Sequence, residues 1–228
     1  MNRRDEDGFS LVEVMVAIFL LSVLSVGFYQ VMFASVRGSA DTADIAEVAE
    51  EARLGFNRMI RDTRETTKLI SASETGYRIW TDYNQNSLVD ESDYEYLEFA
   101  YDSALGAITL TALTGPPAGD PDLIDVGATA LAGTSTETLA GNIQLVGTRP
   151  VFTYASNFLQ YDTAPVDGET SAAELDDAAG LGNNNDVLDG LELDYVSDVN
   201  YAFQVSVGGD SRGFYGQAQI RNRRYSNL

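Results

Sequence analysis

The chain has 228 residues, enough for one or two compact domains, and it contains neither cysteine nor histidine. These absences exclude disulfide frameworks, thiolate or imidazole metal sites, cysteine nucleophiles and the Ser-His-Asp triad, so we expect no enzyme. The formal net charge is −21, and between Ile79 and Ser211 a single basic residue, Arg149, faces 23 acidic ones. This acidic part would repel the phosphates of a nucleic acid.

The first long element is an apolar segment, residues 9–33, which reads FSLVEVMVAIFLLSVLSVGFYQVMF and carries one charge, Glu13. A helix rises ~1.5 Å per residue, so this segment can cross the hydrocarbon core of a bilayer, ~30 Å. A secretory signal peptide has a shorter apolar core followed by a small-residue cleavage site, and no such site follows here. The sequence therefore predicts a membrane-spanning helix that stays attached to the chain.

Glu13 is unusual because a carboxylate inside a membrane segment costs several kcal/mol unless it finds a partner. It can lie near the interface and reach water, but its sequence context favours another interpretation. The segment Gly8-Phe9-Ser10-Leu11-Val12-Glu13 resembles the processing site of type IV prepilins and type II secretion pseudopilins: glycine, phenylalanine, three residues, glutamate. The resemblance covers the leader and the whole apolar segment.

This resemblance implies that a prepilin peptidase cleaves the Gly8–Phe9 bond, removes residues 1–8 as a leader and methylates the new amine of Phe9. Glu13 of one subunit would then pair with the Phe9 amine of a neighbour, giving a hydrogen-bonded charge pair. Arg3 and Arg4 favour a cytoplasmic leader, which places the rest of the chain in the periplasm and later in a filament on the cell surface. The expected partners are the membrane, the peptidase and other pilins.

Residues 34–68 are predicted to continue as an amphipathic helix, because apolar residues recur at spacings of three and four. Residues 69–228 are predicted to form a β-rich head, in which short alternating segments are separated by turn residues. The predicted fold class is therefore α+β, a long N-terminal helix packed against antiparallel sheets. The predicted strands are Tyr77–Thr81, Tyr94–Tyr101, Ala107–Leu113, Ile143–Val146, Val151–Tyr154, Gly190–Val196, Tyr201–Val207 and Phe214–Arg221.

The end of the chain extends the resemblance. The closing segment Gln219-Ile220-Arg221-Asn222-Arg223 is similar to that of W-type minor pilins and J-type minor pseudopilins. This implies a structural subunit near the tip of a type IV pilus or a type II secretion pseudopilus. An alternative stays open: a membrane-anchored, calcium-dependent adhesin or binding module exported by the same route.

Calcium is the one ligand that the sequence suggests, and no cofactor is required. In the segment 82–93, oxygen-bearing side chains fall at positions 1, 3, 5, 9 and 12 of a calcium loop, and the backbone carbonyl at position 7 would add another oxygen. A solvated hairpin turn rich in Asp and Asn is the alternative. The candidate ligands are Asp82, Asn84, Asn86, Leu88, Asp90 and Asp93.

Overall fold

The computed structural model describes residues 10–84, 95–115, 128–155, 188 and 192–220. The chain divides into two compact units, Met1–Asp44 and Ile45–Leu228. We call the second the β-rich unit. A single helix, α1 (Leu11–Glu65), contributes residues to both units.

The helix α1 ends three residues earlier than the sequence predicted. Glu65 is its last residue, and the chain then enters a strand at Lys68. Thr66 marks the change, because its hydroxyl donates to the backbone oxygens of Lys68 (3.1 Å) and Trp80 (2.8 Å). A β-branched side chain bonded to a neighbouring strand favours extended backbone over another helical turn.

Five strands form the first sheet, an antiparallel meander in the order β1-β2-β3-β4-β5. Four strands form the second, in which the long strand β8 pairs with β6 and β7 along one edge and with β9 along the other. The strands are β1 (Lys68–Ser73), β2 (Gly76–Trp80), β3 (Tyr96–Asp102), β4 (Ala107–Ala112), β5 (Glu137–Ala140), β6 (Ile143–Gln144), β7 (Phe152–Ala155), β8 (Asp198–Val207) and β9 (Asp210–Gln219).

This arrangement confirms the predicted α+β class, but one predicted strand is wrong and two strands were missed. The predicted strand Gly190–Val196 is wrong, because Glu192–Tyr195 form a 3₁₀ turn, and Leu193 within it and Val196 just after it are both buried. A spacing of three matches the 3₁₀ repeat, whereas a strand would place these two residues on opposite faces. Strands β1 and β5 were not predicted. In β1 the four central residues are all buried, so it lacks the polar and apolar alternation of a half-exposed strand.

One continuous core joins α1 to both sheets within the β-rich unit. Small residues let the helix approach closely: a Cβ atom on Gly55 would overlap the backbone oxygen of Leu139 in β5. From the second sheet, Gly216 leaves room for the ring of Phe56, which packs edge-on against Tyr201. The helix residues buried in this core are Ile45, Ala49, Ala52 and Met59.

A buried cluster of three hydroxyls connects the end of α1 to both sheets. Thr63 Oγ1 lies 2.8 Å from the hydroxyl of Tyr77 in β2 and 2.8 Å from that of Tyr201 in β8, and the two tyrosine hydroxyls are 3.0 Å apart. Burial raises the pKa of both tyrosines, since an ionised phenol would lose its hydration there. The neutral hydroxyls therefore act as mutual donors and acceptors inside the apolar core.

Next to this cluster, Asp62 is also buried. Arg61 lies 3.0 Å and Arg58 3.6 Å from its carboxylate, and Arg58 also binds Glu137 of β5 at 2.7 Å. Desolvation raises the pKa of Asp62 above its usual range, although both arginines oppose this shift. The last turns of α1 are therefore tied to the first sheet by charge as well as by packing.

We predict that Tyr201→Phe lowers the free energy of unfolding by about 1–3 kcal/mol, because it removes the hydroxyl that bonds both Thr63 and Tyr77, which then keep only their bond to each other. Urea unfolding of the full chain in detergent, followed by fluorescence of the single tryptophan, Trp80, measures this change. Tyr215→Phe is the matched control: Tyr215 is 60% exposed, so its effect should stay within about 0.5 kcal/mol. Equal effects of the two substitutions would contradict a stabilising role for the cluster.

Candidate assembly site at the start of the first helix

The first turn of α1 begins with a reciprocal pair of hydrogen bonds. The backbone N–H of Ser10 donates to Glu13 Oε2 at 3.0 Å, and the backbone N–H of Glu13 donates to Ser10 Oγ at 3.3 Å. This is a capping box, in which two side chains satisfy backbone donors that the helix itself leaves unpaired. In an apolar medium the arrangement lowers the cost of both the free N–H groups and the carboxylate.

Sequence analysis gave Ser10 no role, although the signal was present. A serine followed three residues later by glutamate, just before an apolar run, is typical of a helix N-terminus. The structure therefore adds Ser10 as the capping partner of Glu13, which is one of the two predicted assembly residues together with Phe9. Phe9 and Gly8, the two residues of the predicted cleavage site, lie outside the described residues.

After this cap, α1 presents apolar side chains on every face. Between Leu11 and Phe33 the large apolar residues keep between 47% (Val14) and 78% (Leu11) of their surface exposed. In the described part of the chain, α1 is the one helix that is long and apolar enough to cross a membrane. A signal sequence near an N-terminus would also be long and apolar enough. The motif around Glu13 is therefore the feature that distinguishes a retained membrane helix from a signal sequence.

The predicted calcium loop is described only at its start. Asp82 and Asn84 follow β2, and their backbone N–H groups donate to Thr67 Oγ1 (3.2 Å) and to Glu95 Oε1 (3.5 Å). The other candidate ligands, Asn86, Leu88, Asp90 and Asp93, lie outside the described residues. Within the described ranges, no group of three or more acidic side chains is arranged to hold a metal ion.

Two neighbours of this loop were missed by sequence reasoning. Glu95 is fully buried beside Thr81, whose backbone N–H donates to the Glu95 backbone oxygen at 2.9 Å. Tyr83 is 45% exposed, and partial desolvation together with the nearby Asp62 raises its pKa to about 12. Glu95 is one of many acidic residues in this part of the sequence, and nothing in the sequence indicates that it is buried. Its burial could be recognised only from the fold.

Comparison with known proteins finds a match at the N-terminus of the chain. The family model of the prokaryotic N-terminal methylation motif matches residues 3–29, a range that contains the Gly8–Phe9 bond, Ser10 and Glu13. No curated protein and no solved structure matches the chain significantly. The motif, together with the apolar helix, supports a type IV pilin-like or pseudopilin protein with a membrane anchor and a pilus-type route.

Proteins with this motif are typically structural subunits, processed by a prepilin peptidase and assembled with other pilins. The matched motif thus agrees with the resemblance found in the sequence. The motif covers residues 3–29 and does not extend into the β-rich unit, which begins at Ile45.

We predict that Ser10→Ala increases hydrogen exchange at the Glu13 backbone amide about fivefold, since loss of an N-cap costs ~1 kcal/mol. Ser10→Thr should leave the rate near that of the unsubstituted chain, because threonine also caps. The measurement is hydrogen–deuterium exchange on the full chain in detergent micelles. If alanine and threonine gave the same rate, the Ser10 hydroxyl would not cap the helix.

Proposed function

We propose that this chain is a minor pilin or minor pseudopilin that assembles through its N-terminal helix into a type IV pilus or a type II secretion pseudopilus, at or near the tip. The proposal rests mainly on what is observed at the N-terminus. A methylation motif at residues 3–29 overlaps the start of a helix whose apolar side chains are exposed from Leu11 to Phe33 in the described part of the chain.

In this proposal the chain is processed in steps. Residues 1–8 form a cytoplasmic leader, and cleavage after Gly8 produces an N-methylated amine on Phe9. Residues 9–33 lie first in the inner membrane and then in the filament core, and the helix continues to Glu65 before the chain enters the β-rich head. The head faces the periplasm before assembly and the filament surface afterwards.

The hydrophobic effect explains why such a helix needs a cover at both stages. Removing a Val, Leu, Ile or Phe side chain from water is worth ~1.5–3 kcal/mol. From Leu11 to Phe33, 17 large apolar residues are exposed. Lipid covers them before assembly, and the helices of neighbouring subunits cover them in the filament.

Glu13 supplies the polar contact in this otherwise apolar core. Its Oε2 accepts a hydrogen bond from Ser10, which leaves Oε1 available to a cation. The amine of Phe9 on an adjacent subunit is such a cation once the leader has been removed. Each subunit that docks below another through this contact adds a buried charge pair that is also hydrogen-bonded.

Two features, the size of the chain and the architecture of its head, favour a minor pilin over an abundant one. Abundant pilins are usually smaller than this chain, and the two sheets with their long connections make an elaborate head. The retained Glu13 indicates a subunit that docks onto an amine above or beside it, a contact that the terminal subunit of a tip complex would not need. Other minor pilins are therefore the proposed partners of the head, and its acidic surface disfavours nucleic acid.

A second candidate function is a membrane-anchored, calcium-dependent adhesin exported by the same route. The regular spacing of Asp and Asn in residues 82–93 favours it, with calcium as the ligand. Binding of the full chain to surfaces or glycans, compared with and without calcium, discriminates this function from binding only to sister pilins.

We predict that Glu13→Gln leaves cleavage intact but lowers recovery of the chain in sheared filaments at least tenfold. Glutamine keeps the capping box and removes the charge that binds the neighbouring amine, a loss of several kcal/mol at a buried pair. Immunoblotting of filament and membrane fractions measures this ratio. Asp44→Asn, at an exposed position of α1, controls for loss of one negative charge. Unchanged recovery of the Glu13 variant would contradict the proposed contact.

A further inference from the structure

The last strand of the second sheet, β9, has one long edge without a neighbouring strand. Ten consecutive residue pairs join β9 to β8, and no bulge interrupts them. In the part of the chain that the structure describes, no other strand pairs with β9. Seven of its ten residues are exposed, and Ala218 alone is buried. The strand is therefore open to solvent along most of its length.

The turn between β8 and β9 determines which backbone groups point to this edge. It consists of Gly208 (φ 62°) and Gly209 (φ 96°). The residues that flank such a two-residue turn, here Val207 and Asp210, exchange hydrogen bonds with each other. Bonded and non-bonded pairs then alternate, so every second residue of β9 directs its N–H and C=O away from β8. We call these groups the outer edge, and they belong to Ser211, Gly213, Tyr215, Gln217 and Gln219.

The observed contacts agree with this assignment and leave most of the outer edge without a bond. Arg64 at the end of α1 donates to the backbone oxygen of Gln217 at 3.4 Å, which is long for a hydrogen bond. Among the described residues, no other hydrogen bond reaches the outer edge. The opposite side of β8 is bonded, as where the N–H of Ala202 donates to the oxygen of Val151 at 3.0 Å.

The other strand edges of the described structure are short or bonded. Strands β5, β6 and β7 have between two and four residues, and short edge strands offer little backbone for pairing. The edge of β1 is bonded through Ala72, which exchanges two hydrogen bonds with Leu188 (3.0 and 2.6 Å). Proteins also protect edges with proline, lysine or bulges, and β9 has none of them. Among the described edges, the outer edge of β9 is therefore the most suited to accept another strand.

We propose that the outer edge of β9 accepts an extended strand from the head of a different filament subunit. This inference rests on the proposed function, which supplies the neighbouring subunits. A row of backbone N–H and C=O groups is complementary to the backbone of another strand, because donors and acceptors alternate along both. An aromatic or β-branched residue of the added strand would pack beside the exposed ring of Tyr215 and contribute to specificity.

Charge decides against a second copy of this chain as the source of the added strand. Between Ile79 and Ser211 the chain has 23 acidic residues and one basic residue, so two such heads held edge to edge would repel each other. Within β9 itself, the charged residues Asp210 and Arg212 lie near the turn, and the segment from Gly213 to Gln219 is uncharged. The expected partner is therefore a less acidic head that presents an uncharged strand.

Hydrogen–deuterium exchange of the unsubstituted chain tests this contact directly. In detergent, the backbone amides of Gly213 and Tyr215 should exchange fast because they point to solvent, whereas β8 protects the amide of Phe214. In filaments sheared from a host with the complete filament system, the amides of Gly213 and Tyr215 should exchange about tenfold more slowly, since a bond to the added strand must open first. Unchanged rates in filaments that contain the chain would overturn the inference.

Proline at an outward position separates strand pairing from other contacts. Tyr215→Pro removes an N–H that β8 does not use, so β9 can keep its pairing with β8. Recovery of this variant in sheared filaments should fall about fivefold, because a backbone bond to the added strand is lost. The matched control, Tyr215→Thr, keeps the N–H and should be recovered like the unsubstituted chain. Urea unfolding in detergent checks the fold of both variants, and equal recovery of two folded variants would contradict the inference.

The source of the strand is tested by cysteine substitution, because the chain contains no cysteine. Filaments that carry Ser211→Cys or Gln217→Cys should give no disulfide-linked dimer of this chain after oxidation. Such a dimer would assign the outer edge to a second copy and overturn the inference.

The outcomes also separate this inference from the proposed function. Chain present in filaments with methylated Phe9, but with unprotected amides at Gly213 and Tyr215, overturns the added strand and leaves the pilin assignment intact. Absence of the chain from the filaments of an active host overturns both.

Discussion

The apolar surface of α1 is the constraint on which the remaining features depend. A helix with large apolar side chains on every face must be covered, and the residues that the structure describes leave α1 exposed between Leu11 and Phe33. Lipid and the helices of other subunits are the two covers that the matched motif implies. The polar groups at the start of the helix must then be satisfied without water, which is the task of Ser10 and Glu13.

Beyond Ile45 the same helix meets a different environment and changes its composition accordingly. One side is lined with alanine, glycine and a threonine that fit between the two sheets, and the other side is charged. Close approach at Gly55 and the hydroxyl cluster around Thr63 join the helix firmly to the β-rich unit. The last turns of α1 and the two sheets therefore share one packed core.

Several features could be predicted from the sequence because they depend on local patterns. Hydropathy and helical spacing predicted α1 apart from its last residues, and alternation predicted most strands of both sheets. Strand β1 was not predicted because its buried residues do not alternate with polar ones. The segment that contains Leu193 and Val196 was predicted as a strand, but a 3₁₀ turn accounts for their spacing of three. The candidate site was inferred from the motif around Gly8 and Glu13. The cluster of Thr63, Tyr77 and Tyr201 could not be predicted, since it joins residues up to 138 positions apart.

The mass of the N-terminus tests most directly whether α1 belongs to a processed filament subunit, as we propose. The chain would be expressed in a host with an active prepilin peptidase, extracted from the membrane and measured intact. The account predicts loss of residues 1–8 and one methyl group on the amine of Phe9. An intact N-terminus, with a control prepilin fully processed in the same cells, would contradict the account and favour an anchored binding module.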